Sequence, residues 1–291
     1  MHTPVLLKEV IEILALAPGQ FVIDGTLDGG GHARAMLKEI SPGGKFLGVD
    51  WDKEMIARQT VSLKSAAVKI FLAQGNYADL PEILETRDLP KADAILLDLG
   101  FSSEQLTSGR GFSFQSDDLL ALTYDRERLP AKSILRQLTE YELANIIQKY
   151  GGERYARRIA KAIKMAGKKQ PIKRANELAS IIAQAVPKNY ERGRINPATR
   201  TFQALRIYAN DELGNLKRCL VHLSRILRPG GRAAIISFHS LEDGMVKNHF
   251  RELHAEGLAK ILTKKPIEAA AEEIAKNPRS RSAKLRAIQL A

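Results

Sequence analysis

The chain has 291 residues, 44% of them hydrophobic and 27% charged, the balance of a globular protein with a sizeable core. Lys and Arg outnumber Asp and Glu by 45 to 33, and the resulting net charge of +12 favours an anionic partner, nucleic acid before a membrane surface. No uncharged apolar run approaches the roughly 18 residues of a membrane span, and Lys8, Glu9 and Glu12 interrupt the apolar start in a way that a secretion signal would not. The single cysteine, Cys219, has no partner for an intramolecular disulfide and reads as a buried thiol, and no Cys/His cluster has zinc-ligand spacing, so no metal is expected. The expected location is the cytoplasm.

In chain order, residues 5–16 carry apolar side chains at helical spacing and stop at Pro18-Gly19. Short apolar runs rich in β-branched residues follow at 21–24, 45–50, 68–73 and 92–98, separated by helical stretches at 32–40 and 53–64. Such alternation predicts a doubly wound parallel sheet. The continuous run Ala94-Ile95-Leu96-Leu97 suits a central strand covered on both faces. From 106 to 196 the chain is polar, helical and basic, with no convincing buried strand. Alternation then resumes: 213–227 reads as a helix, Pro229-Gly230-Gly231 as a turn, 233–238 as a buried strand and 285–290 as an edge strand. The expected organisation is an α/β domain, 1–105 and 197–291, split by an inserted helical, basic domain at 106–196.

A glycine-rich turn, Gly29-Gly30-Gly31, follows the first strand and opens a helix, which lets a ligand approach main-chain N–H groups at a helix N-terminus. Asp50, at the end of the second strand, is placed to accept hydrogen bonds from both ribose hydroxyls of an adenosine cofactor. Turn and acid together fit a nicotinamide dinucleotide as well as S-adenosylmethionine. Asp28 shifts the balance, because a carboxylate in the turn repels a pyrophosphate and tolerates a sulfonium. Tyr77, after strand three, could cover an adenine ring, and Asp98 ends strand four, where open α/β sheets bind ligands.

Six segments carry a more specific signal: 2–7 (HTPVLL), 97–106 (LDLGFSSEQL), 110–114 (RGFSF), 197–207 (PATRTFQALRI), 236–243 (ISFHSLED) and 279–286 (RSRSAKLR). In content and order they resemble the bacterial small-subunit ribosomal RNA cytosine-N4 methyltransferase family, over essentially the whole chain. That resemblance implies a class I methyltransferase fold, Rossmann-like, with an inserted helical domain. It further implies S-adenosylmethionine contacts at Gly30, Gly31, His32, Asp50, Tyr77, Asp98 and Gln105, and a cytidine amine in the decoding region as the substrate. The chain departs from the family pattern at Asp28, Thr107, Ala121, Thr123 and Asn196, losing an acid at 121 and an arginine at 123.

An exocyclic cytosine amine is a weak nucleophile, so catalysis rests on aligning it with the methyl–sulfur bond and on an acceptor for its proton. Asp98 is the candidate that bridges cofactor and base, and Ser102 and Ser103 could hold the base edge. Phe101, or an aromatic of 112–114, could stack on an extruded base, although Phe112 and Phe114 alternate as core residues do. His239 reads either as a base or as a buried, hydrogen-bonded histidine. If 154–168 is a helix, Arg154, Arg157, Lys161, Lys164 and Lys168 share one arc opposite Ala156, Ile159, Ala160 and Ile163, a stripe suited to RNA phosphates. Arg279, Arg281, Lys284 and Arg286 form a second basic cluster, while Arg200 and Arg206 read as braces between insertion and sheet. The expected partner is small-subunit rRNA, free or within an assembled subunit, bound by a monomer or homodimer. Two other readings stay open: a non-catalytic ribosome-binding or assembly factor, and a nicotinamide-dependent oxidoreductase.

Overall fold

The computed structural model describes residues 4–100, 108–125, 128–193 and 195–291, and divides into two compact units. The first, Met1–Ser102 with Leu213–Ala291, is built on a seven-stranded sheet. Its strands are β1 (Phe21–Asp24), β2 (Lys45–Asp50), β3 (Lys69–Gln74), β4 (Ala92–Asp98), β5 (Leu227–Ser237), β6 (Ala259–Ile261) and β7 (Lys284–Leu290). Their order across the sheet is β3-β2-β1-β4-β5-β7-β6. The first five are parallel, and β7 runs antiparallel to both of its neighbours. This is the class I methyltransferase arrangement that the resemblance implied.

The chain leaves β1 outward to β2 and β3, then returns to place β4 on the other side of β1. That reversal opens a crevice at the carboxyl ends of β1 and β4, where ligands of open α/β sheets lie.

Strand alternation explains the two cores. Phe21, Ile23, Ile95 and Leu97 face one side, against Leu80 and Leu84 of α4 (Leu80–Thr86) and Val246 and Phe250 of α12 (Ser240–Ala255). Val22, Ala94 and Leu96 face the other, against Val10 of α1 (Leu7–Leu14) and Met36 of α2 (Gly31–Glu39). Cys219 lies buried in the first core, and burial pushes its thiol up to about 12.

Three expectations need correction. The strand near the carboxyl end is interior: β7 fills the slot between β5 and β6, and β6, of three residues, is the edge. The 229–231 turn lies inside β5, whose register against β4 shifts between Ala92 and Ala94 while Gly230 adopts a φ of +77°. The helix expected over 213–227 is two, α10 (Glu212–Val221) and α11 (Leu223–Ile226).

The second unit, Ser103–Glu212, is helical and closes its own core. It contains α5 (Ala131–Gln137), α6 (Glu140–Gly151), α7 (Ala156–Lys169), α8 (Ala175–Ala185) and α9 (Thr199–Asn210). A Thr139–Glu142 capping box starts α6, and Gly152 in the left-handed region ends it. Residues 197–212, expected with the sheet, pack here instead: Phe202 and Leu205 of α9 belong to the helical core. Phe112 stacks on Tyr124 at 5.6 Å and Phe114 meets Phe202 edge-on at 6.0 Å, so both serve the core rather than a base. Arg200 binds Glu191 at 2.7 Å and Tyr190 at 3.2 Å, and Arg206 grips Glu212 with two bonds of 2.8 and 3.1 Å. These partners, Glu191, Tyr190 and Glu212, belong to the helical unit.

Candidate cofactor site and cationic surface

β1 delivers Asp24 to the crevice fully buried. Desolvation pushes its carboxyl up to about 7, with the charges of Asp98 and Asp50 adding to the rise and the Thr26 amide, at 3.2 Å, opposing it. Three strand-end carboxylates therefore share one edge. The Asp98 backbone N–H donates to Thr26 Oγ1 at 2.6 Å and ties the end of β4 to the turn after β1. Gly25 permits that closeness, since a Cβ there would sit 2.5 Å from Leu97.

Asp50 is held by two amides, those of Asp28 and Asp52, each at 2.8 Å from one carboxylate oxygen. Gly30 caps α2 at a φ of +70°. Gly31, expected to let a ligand approach, leaves room for the chain itself: a Cβ there would lie 3.0 Å from the Pro4 ring.

His32 is buried, and its Nε2 lies 2.9 Å from the Val5 carbonyl. A carbonyl only accepts, so Nε2 carries the proton and Nδ1 faces Asp98 Oδ2 at 3.7 Å. The ring is thus anchored to the amino-terminal segment and lies beside the Asp98 carboxylate. Tyr77, after β3, lies nearly parallel to Trp51, with centroids 6.4 Å apart and an angle of 16°. Sequence reasoning missed Trp51 and Asp24. An aromatic directly after the strand-end acid was the available signal for the first; only the strand-end position could have suggested the second. Ser102, Ser103 and Gln105, together with Phe101 and Thr107, lie outside the described residues.

His239 caps α12, accepting the Glu242 amide on Nδ1 at 3.3 Å, with Nε2 3.1 Å from the Glu242 carboxylate. Its Nδ1 is therefore spent on the helix cap. The carboxyl-end basic cluster is reduced. Arg286 is buried and bound to Asp243 at 2.6 and 3.2 Å, and half-buried Arg279 feels the Asp28 charge, which opposes the lowering of its pKa by burial. Arg281 is exposed and Lys284 half-buried.

In the helical unit the stripe is also corrected. Arg154 precedes α7 and lies over the Tyr155 ring, 4.9 Å from its centroid. Arg157, Lys161 and Lys168 stand exposed. Lys164 instead donates to the carbonyls of Leu135, Arg136 and Leu138, where α5 ends, and this commits all three of its N–H groups. The departures at 121 and 123 fall in a packed stretch: Thr123 is buried, and the Leu122 carbonyl accepts from Asn210 at 2.7 Å.

The sheet order, the reversal at β1 and β4 and the acid-tipped strand ends define a class I methyltransferase. The sequence profile of the MraW methylase family matches residues 1–291, and the chain belongs to that family. It is 44% identical to a protein of Syntrophotalea carbinolica called ribosomal RNA small subunit methyltransferase H, over 99% of this chain and 97% of that one. A Geotalea uraniireducens protein of the same name is 43% identical over 99% of this chain and 98% of its own length.

Proposed function

We propose that this protein transfers a methyl group from S-adenosylmethionine to the exocyclic N4 amine of a cytidine in the decoding region of small-subunit rRNA. The family and the names of its relatives support rRNA methylation. The observation that carries the donor assignment is the cluster of Asp24, Asp50 and Asp98, three carboxylates whose mutual repulsion a cationic ligand relieves. The donor set fits: Asp50 takes the ribose hydroxyls, Trp51 and Tyr77 flank the adenine, Gly30 shapes the turn, and Gly31 and His32 offer main-chain N–H groups at the start of α2. Asp24 and Asp98 then face the sulfonium end, and Gln105 completes the set at the position the family resemblance assigns to it.

Once bound, the donor supplies an electrophilic methyl group. Asp98 orients the amine along the methyl–sulfur axis and accepts its proton as the nitrogen gains the methyl. Ser102 and Ser103 hold the base edge, while Arg154, Arg157, Lys161 and Lys168 bind phosphates of the same RNA.

Radiolabelled methyl from S-adenosylmethionine is expected to pass to small ribosomal subunits that lack the modification and to appear as N4-methylcytidine after nuclease digestion. Label confined to adenine or to a ring carbon would refute the assignment. Asp98→Ala is expected to abolish transfer in a folded protein, and near-normal turnover would remove Asp98 from the chemistry. Tight donor binding without transfer by the native chain would favour the assembly-factor reading.

A further inference from the structure

The helical unit holds a cavity of about 250 Å³ that none of the chemistry above uses. Buried Leu135 and Ile163 line it together with the more exposed Pro171 and Ile172. Lys132, Arg136 and Lys168 stand around it, and Lys164 fixes a fourth positive charge in the wall through its bonds to the end of α5. Among the described residues, none that lines it is acidic. The volume falls below the roughly 300–1,000 Å³ of sites for drug-sized ligands, so it suits one ring system.

Gly167 supplies the second observation. It lies inside α7, where glycine costs helix stability relative to alanine. A Cβ there would meet nothing within 4 Å, so the protein's own packing does not require the glycine. Gly167 is exposed and lines the cavity with backbone alone.

We infer that this cavity receives one unstacked base of the substrate RNA, with the flanking phosphates held by Lys132, Arg136 and Lys168. An apolar lining interspersed with cations matches the two chemistries of a nucleotide, and Lys168 continues the exposed charges of Arg157 and Lys161 on the same helix. The inference rests on the methyltransferase reading for its choice of RNA, and it adds an anchoring nucleotide apart from the methylated one. An acidic protein segment is the competing occupant.

The test compares a short oligouridine with an abasic oligonucleotide of equal length, which keeps the phosphates and lacks the bases. The native protein is expected to bind oligouridine about tenfold more tightly, the scale of one buried apolar contact. Gly167→Leu, which adds bulk at the cavity lining and keeps every charge, is expected to bind both alike at the abasic level, and Gly167→Ala to retain the difference. Thermal melting checks that both variants fold. Independently of any variant, 4-thiouridine in a decoding-region RNA is expected to crosslink within residues 163–172.

Equal binding of both oligonucleotides by the native protein, undiminished preference in Gly167→Leu, or crosslinks only elsewhere would overturn the inference. So would displacement of bound RNA from the native protein but not from Gly167→Leu by polyglutamate, together with no preference for bases. Methyl transfer measured in parallel separates the two claims. A failed pocket with intact transfer removes only the pocket, and a base preference without transfer removes only the enzymatic reading.

Discussion

Asp24 sets the pH behaviour of the site. Its carboxyl, ordinarily near 3.8, holds its proton up to about 7 in the folded chain. Between those values the folded state binds a proton that the unfolded chain has released, so stability falls as pH rises through the window. Asp24→Asn is expected to remove this slope: without donor, its melting temperature should exceed that of the native chain at about pH 8 and match it near about pH 4. Donor affinity is expected to rise as pH passes 7, because the ionised carboxylate attracts the sulfonium, and to become weaker and flat in the variant. Calorimetric titration across that range tests this, and a native affinity independent of pH would contradict it. Much of this site was legible at the residue level. Asp50 and Asp98 stand where apolar runs end, and that position alone marks them. The protonation of Asp24 was not legible, because it arises from burial among chain-distant carboxylates. A second reason for the glycine at 31 was not legible either, because its neighbour, Pro4, lies far from it in the chain.

At the level of elements, Lys164 separates support from binding. Removing its three charge-assisted bonds with Lys164→Met is expected to cost about 2 kcal/mol in denaturant melts. Lys161→Ala is expected to leave stability within about 0.5 kcal/mol and to lower the salt slope of RNA binding by about one. Unchanged stability in the first variant would undo the distinction. The helical period correctly put 164 on the arc with 157, 161 and 168, yet it carries no information about the neighbouring helix that ends beneath it. Strands show the same limit. All four runs at 21–24, 45–50, 68–73 and 92–98 form strands within a residue of expectation, because apolar patterning is local. The place of β7 is not local, since any strand shows its own pattern and not its neighbours.

For the whole molecule, the change from alternating strands to basic helices after residue 105 was visible in composition. The far limit was not: α9 shows one apolar face, and the sequence does not say which core that face joins. The helical unit is one continuous stretch with a core drawn entirely from residues 112–205. Residues 103–212 alone are therefore expected to melt cooperatively with helical circular dichroism. A featureless melt would show that its stability depends on the rest of the chain.

The placement of β7 has a consequence during synthesis. β6 is made first but joins the sheet through β7, so β5 presents a bare edge until residues 284–290 emerge from the ribosome. Unpaired edges of that kind template association between copies. Translation that stalls or stops before residue 284 therefore yields an aggregation-prone product, however completely the rest has formed.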